Sequence, residues 1–106
     1  MLHIYWEFHC KPDKQEEFER CYTGSGSVSG ANTWAEFFQR DAAYRKTILL
    51  RDQADDTRFL TIDIWETREA YEAFKQKYAE EYSALDKQFE ALTESETFLG
   101  YFDKME

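Results

Sequence analysis

The sequence predicts an α+β fold in which a four-stranded antiparallel sheet carries its helices on one side. Three observations lead there. Apolar residues alternate with period two in residues 2–10 and 58–65, and recur at three- and four-residue steps from Tyr71 onward; these are the strand and helix signatures. The segment from Arg58 to Phe74 passes from one period to the other with Trp65 at the junction. A polar hexapeptide, Asp52 to Thr57, separates two strand-like stretches, which should then pair antiparallel.

Each element can be justified in turn. In residues 2–10, Leu2, Ile4, Trp6, Phe8 and Cys10 share one face and His3, Tyr5, Glu7 and His9 the other, until Pro12 stops the strand. Asp13 with Glu16 resembles a capping box and opens a helix with Phe18, Cys21 and Tyr22 on one side. Thr23 to Gly30 reads as a flexible loop. It follows a helix and has the spacing G-x-G-x-x-x-G, whereas phosphate cradles follow a strand with a different spacing. Thr33 and Glu36 form a second capping box before a short helix with Trp34, Phe37 and Phe38. Strands are expected at Tyr44–Arg51 and 58–66. One long helix should run from Thr67 to about Leu92, with Tyr71, Phe74, Tyr78, Tyr82, Leu85, Phe89 and Leu92 on its apolar side. A last strand covers Phe98–Phe102. The order strand, helix, helix, strand, strand, helix, strand is the split β-α-β pattern of ferredoxin-like folds.

Composition bounds the function. The 106 residues make one domain, 1–106, and 42% hydrophobic and 18% aromatic content suffices for a core. The formal charge of −9 disfavours nucleic acid, because binding phosphates takes clustered Lys and Arg, and anionic membrane surfaces likewise. No apolar run approaches the ~20 residues of a membrane span. Residues 1–10 are interrupted by His3, Glu7 and His9, unlike a secretory signal. A cytoplasmic protein with Cys10 and Cys21 as packed, reduced thiols is the expectation. A zinc site would need more ligands at closer spacing than His3, His9 and the two cysteines provide.

Neither face of the sheet is convincingly polar, and an exposed apolar sheet face is an association site. The sequence therefore predicts a homodimer with two sheets packed face to face. From alternation alone, Leu2, Ile4, Trp6 and Phe8 turn toward the helices, and His3, Tyr5, Glu7 and His9 toward water.

The segments Trp34-Ala-Glu-Phe-Phe38, Tyr44-Arg-Lys-Thr-Ile-Leu-Leu-Arg51 and above all Arg58-Phe-Leu-Thr-Ile-Asp-Ile-Trp65-Glu-Thr-Arg-Glu-Ala-Tyr71 resemble the antibiotic-biosynthesis monooxygenase domains of the dimeric α+β barrel superfamily. The resemblance spans essentially the whole chain. It implies a fold more firmly than an activity, since that superfamily hosts oxygenases, haem-degrading enzymes and isomerases. It also implies that the face bearing Trp65 lines a cleft against the helices and the other face packs on the partner. Transferred to this chain, Phe59, Thr61, Asp63 and Trp65 become cleft wall, joined by His3, Tyr5, Glu7 and His9. Leu60, Ile62 and Ile64 become interface, joined by Leu2, Ile4, Trp6 and Phe8.

The activity implied is cofactor-free oxygenation of a small electron-rich aromatic compound, such as a quinol, an anthrone or a polyketide-like phenol, which supplies its own electrons once deprotonated. His9 or His3 could be the base, Glu7 and Asp63 could serve if burial raises their pKa, and Tyr5 could donate to the substrate oxygen. Trp65, Trp34 and Phe37 offer stacking surface. The haem-degrading members carry a first-strand Asn and a haem-ligating His on the helix after the Trp; here Tyr5 stands near the Asn position and no His follows residue 9. No cofactor and no metal are expected. A non-catalytic ligand-binding protein and an oxygen-independent isomerase are the alternatives.

Overall fold

The computed structural model describes residues 1–23 and 34–105. Its elements are β1 (Leu2–Cys10), α1 (Gln15–Thr23), α2 (Trp34–Phe38), β2 (Tyr44–Arg51), β3 (Arg58–Trp65), α3 (Arg68–Lys77), α4 (Ala79–Glu90) and β4 (Thr93–Asp103). Residues 24–30 of the expected loop and Thr33 of the second capping box lie outside the described residues. The four strands form one antiparallel sheet in the order β2-β3-β1-β4, as the ferredoxin-like reading requires.

Two expected elements differ. The long helix is broken at Tyr78, whose backbone leaves the helical region (φ −115°, ψ 35°). The break lets α3 pack on β3 and α4 on β4, two strands separated by β1, so the apolar stripe stays on the sheet along its whole length. Thr67 caps α3, its hydroxyl accepting from the Ala70 N–H at 3.1 Å. The last strand starts at Thr93 rather than Phe98. Its polar run, Thr93-Glu-Ser-Glu-Thr97, hides no alternation because β4 is an edge strand with mostly exposed side chains. Its pairing with β1 shifts register between Tyr5 and Trp6. Gly100 sits at that irregularity with φ +138°, a conformation that side chains rarely adopt.

The register decides what each face carries, because directly paired residues of antiparallel strands project to the same side. Ile4 pairs with Asp63, Trp6 with Thr61 and Phe8 with Phe59. Leu2, Ile4, Trp6 and Phe8 therefore share the Trp65 face. There Leu2, Ile4, Phe8, Phe59 and Trp65 are buried in one cluster with Phe18, Phe37, Phe38, Tyr71, Phe74, Leu85 and Phe89 of the helices. This corrects the face assignment carried over from the resemblance. Leu2, Ile4, Trp6 and Phe8 are not on the outward side, and His3, Tyr5, Glu7 and His9 are not in a cleft. Tyr5 pairs with Ile62 and His3 with Ile64, and the Tyr5 ring meets Phe102 edge-on at 5.0 Å. The alternation of β1 taken by itself had the sides right.

The outward face is nonetheless largely apolar. Ile48 pairs with Ile62 and Leu50 with Leu60, and Tyr5, Ile64 and Phe102 extend the patch on the same side. Ile62 and Ile64 stand apart from the helix-side cluster, and Leu50 and Phe102 are 45% and 50% exposed. At one end the face turns charged: the Arg58 guanidinium bonds Glu7 at 2.5 Å and Asp52 at 3.0 Å.

Candidate functional site

Asp63 is the one ionisable side chain of β3 on the helix side. Alternation puts it there, two residues after Thr61 and two before Trp65, on the face the core needs. It is 7% exposed. The Thr47 hydroxyl donates to its Oδ1 at 2.6 Å. With the Thr47 proton so committed, the Tyr44 hydroxyl 2.7 Å away donates to Thr47. The β2–β3 pairing, which sets Thr47 opposite Asp63, builds this Tyr44–Thr47–Asp63 chain. Among the described residues no cation pairs with Asp63. Burial raises its pKa from the ordinary 3.8 to about 6, against the smaller lowering effect of the Thr47 bond.

Asp63 and Thr61 line a partly open cavity of about 30 Å³ between the sheet and the helices, space for very few waters. Its walls are aromatic, with Trp6 and Phe8 from β1, Tyr22 from α1, Trp34 and Phe38 from α2, and Tyr82 and Phe89 from α4. Trp34 stacks on Phe38 and on Phe89, ring centres 5.4 Å apart in both cases. Two more carboxylates, Asp86 of α4 and Glu96 of β4, complete the lining. Burial raises the pKa of both; Glu90 adds to the effect at Asp86, and Asp86 and Glu90 add to it at Glu96. Burial drives the Tyr22 hydroxyl well above its usual range, so it stays neutral.

The expected site residues divide three ways. Asp63, Thr61 and Trp34 come together in this cavity. Phe59, Phe37 and Trp65 are packed in the core beside it. Phe59 meets Phe18 at 5.0 Å and Phe37 meets Phe74 at 5.0 Å. Trp65 is enclosed by Phe38, Tyr44, Tyr71 and Phe74. Its Nε1 is the buried side-chain donor left without a partner among the described residues; surrounding ring faces are weak acceptors at best. His3, Tyr5, Glu7 and His9 are on the opposite side of the sheet. Glu7 fails the condition set for it as a base. The Arg58 hydrogen bond outweighs desolvation and holds its pKa below the usual range. His9 lies 3.4 Å from the same carboxylate.

Sequence reasoning missed Trp6, Phe8, Tyr22, Phe38, Tyr82, Asp86, Phe89 and Glu96 as lining residues. Asp86 had a readable signal. It lies four residues after Tyr82 and three before Phe89, a carboxylate on the apolar stripe of its helix. Cys10 and Cys21 are free, and burial pushes the thiols up to about 12 and about 11, so neither is a nucleophile near neutral pH. Among the described residues no group of three His, Cys, Asp or Glu could hold a metal ion, and no helix is long and apolar enough to cross a membrane.

The sheet, its one-sided helices and the aromatic cavity with a buried carboxylate define an α+β protein of ferredoxin-like type. The solved structures it resembles include several named as antibiotic biosynthesis monooxygenases. One structure of that name matches with a TM-score of 0.70 at 19% identity, covering 100% of both chains. SnoaB, a cofactor-independent oxygenase from Streptomyces nogalater, matches with a TM-score of 0.60 at 20% identity over 99% of this chain and 92% of its own. A conserved protein from Methanosarcina mazei Go1 matches with a TM-score of 0.70 at 8% identity over 98% and 92%. At these identities the likeness is one of fold. No family model and no curated protein matches the chain.

The buried charge makes a prediction about stability. Asp63 binds its proton more tightly when folded, so its contribution is fully present below the ordinary 3.8 and is lost as pH rises through about 6. At roughly 1.4 kcal/mol per pH unit, the ionised carboxylate costs on the order of 3 kcal/mol. Asp63→Asn keeps an acceptor for Thr47 and removes the charge. In urea unfolding it should be more stable than wild type at pH 8 by up to about 3 kcal/mol, the gain shrinking toward zero near pH 3. A variant less stable than wild type at pH 8 would contradict the burial argument.

Proposed function

We propose that this chain is a cofactor-independent monooxygenase acting on a small electron-rich aromatic compound (a quinol, an anthrone or a polyketide-like phenol) at the cavity around Asp63. The observation that carries the reading is Asp63 itself. A carboxylate whose pKa is raised to about 6 is a base suited to near-neutral pH, and its low-dielectric surroundings favour the step that neutralises it. The fold shared with SnoaB, described as a cofactor-independent oxygenase, supports the same class of chemistry. In this reading Asp63 takes a proton from the substrate, held in place by the Tyr44–Thr47 chain. The resulting anion passes electrons to molecular oxygen and forms a hydroperoxide. Loss of a second substrate proton with cleavage of the O–O bond leaves one oxygen in a new carbonyl and releases the other as water. Trp34 and Trp6 supply faces for stacking.

The cavity is smaller than an aromatic ring, so productive binding requires the aromatic walls to rotate apart. That small volume is also the observation favouring the second reading, a non-catalytic protein that holds a small ligand. The two separate in an oxygen-uptake assay on a panel of hydroquinones, naphthols and anthrones, with heat-denatured protein correcting for autoxidation. The oxygenase reading expects uptake that needs folded protein, lowered roughly 10²- to 10⁴-fold by Asp63→Asn and unchanged by His9→Ala. Uptake that survives Asp63→Asn would remove Asp63 as the base; no uptake above autoxidation would leave the binding reading.

We infer further that the chain, one domain over residues 1–106, pairs with a second copy through the outward sheet face. The interface is the patch of Tyr5, Ile48, Leu50, Leu60, Ile62, Ile64 and Phe102, which replaces Leu2, Ile4, Trp6 and Phe8 of the sequence expectation. Ile62 and Ile64 are already shielded by their neighbours, but Leu50 and Phe102 at the margins of the patch are 45% and 50% exposed, and exposed apolar faces mark association sites. Light scattering should give twice the chain mass, and Leu50→Asp, which buries an unpaired charge only in the dimer, should give a folded monomer. A wild-type monomer, or an unaltered dimer in the variant, would refute the interface.

A further inference from the structure

We infer that the ligand of the Asp63 cavity carries a positive charge, and that an ammonium group, the head of a primary or methylated organic amine, sits at the cavity mouth between Asp86 and Glu96. The inference rests on reading this cavity as the ligand site and names the substrate class it would take.

The lining gives three independent reasons. First, its charges are all of one sign. Asp63 from β3, Asp86 from α4 and Glu96 from β4 face one small space, and among the described residues no Lys, Arg or His lines it. The ten residues 24–33, Gly-Ser-Gly-Ser-Val-Ser-Gly-Ala-Asn-Thr, contain no basic side chain that could complete it. Among the described residues none of the three carboxylates has an ion-pair partner, although Glu7, Asp52, Glu19, Glu66, Glu72 and Glu81 all do. Second, Asp63 is more than nine-tenths buried with only a neutral hydroxyl donating to it, so a charge is held inside with nothing opposite. Third, every other large lining residue is aromatic, and ring faces attract cations and repel anions.

Depth assigns the parts. Asp63 is at the floor, Asp86 is half-buried and Glu96 exposed, and Asp86 lies close enough to Glu96 to raise its proton affinity. A cation placed between them relieves that repulsion and leaves Asp63 free to act on the rest of the molecule. The cation is organic rather than metallic, since no three acidic groups among the described residues are close enough to ligate one ion. A carboxylate ligand would meet three like charges.

The test is equilibrium binding of three probes of one shape, benzylammonium, benzyl alcohol and benzoate, followed by quenching of intrinsic tryptophan fluorescence at pH 7.5 and low, fixed salt. The expected result is benzylammonium binding at least roughly ten-fold tighter than benzyl alcohol, with benzoate weakest. Asp86→Asn and Glu96→Gln, both on partly exposed positions that should fold, are each expected to cut that preference several-fold, and the double variant to abolish it. Equal binding of the three probes, no binding of benzylammonium at millimolar concentration, or a preference unchanged in the double variant would each overturn the proposal. None of the probes is an oxygenase substrate, so a failure here leaves the oxygenase reading standing, and absent oxygen uptake leaves this one untouched.

Discussion

Pairing between the two central strands, with Ile4 opposite Asp63 and Phe8 opposite Phe59, is the constraint on which the rest of the molecule depends. A slip of one residue would exchange the contents of the two faces. In the register observed, Ile4, Phe8, Phe59 and Trp65 all point at the helices, and the break at Tyr78 lets both halves of the long helical segment cover them. Asp63 is carried inside by the same geometry, because a residue between Thr61 and Trp65 in the alternation cannot face outward without taking Trp65 along. Fully burying one large apolar side chain contributes about 1.5–3 kcal/mol, so two of these core residues offset an ionised Asp63. The fold can hold a costly carboxylate because the cluster around it is large.

That cost is softened in one direction only. The Tyr44–Thr47 chain supplies a hydrogen bond to the carboxylate but no charge, and the nearest fixed charges lining the cavity are negative. The result is a base inside a small, aromatic-walled space with an acidic mouth. Among the described residues no Lys, Arg or His lines the cavity, and the Lys75 ammonium lies against the Tyr82 ring. The Arg-centred ion pairs that a chain of net charge −9 can form are spent elsewhere. Arg58 goes to Glu7 and Asp52 on the outward face, Arg45 to Glu66, and Arg51 to Glu19.

Much of the fold was legible because periodicity is a direct image of burial. Residues 2–10 and 58–65 alternate, and both strands appear within a residue of the expected limits. The clean alternation of β1 already placed Leu2, Ile4, Trp6 and Phe8 against the helices; the resemblance reversed that side, and the register restored it. The break at Tyr78 was hidden because Tyr71, Phe74, Tyr78 and Tyr82 keep a helical period straight through it. The start of β4 was hidden because Thr93–Thr97 is polar on an edge strand, where one-sided burial leaves little pattern. Within the site, Asp63, Thr61 and Trp34 were found because each sits in a strongly patterned segment. Tyr22 and Glu96 were not, since nothing in α1 or β4 says which residue of Asp63's neighbourhood it will meet; that is set by long-range packing. His3 and His9 drew attention by their chemistry alone, and chemistry without a face assignment misplaced them.

The titration of Asp63 tests the central claim most directly. With aspartate side chains labelled at the carboxyl carbon, carbon-13 NMR of wild type and Asp63→Asn assigns one resonance to this residue. A midpoint near 6, well separated from the other aspartates, is the result expected from a carboxylate buried without a cation. A midpoint in the ordinary aspartate range near ~3.9 would show that the charge is solvated or paired, and would remove the base and one of the three reasons for a cationic ligand.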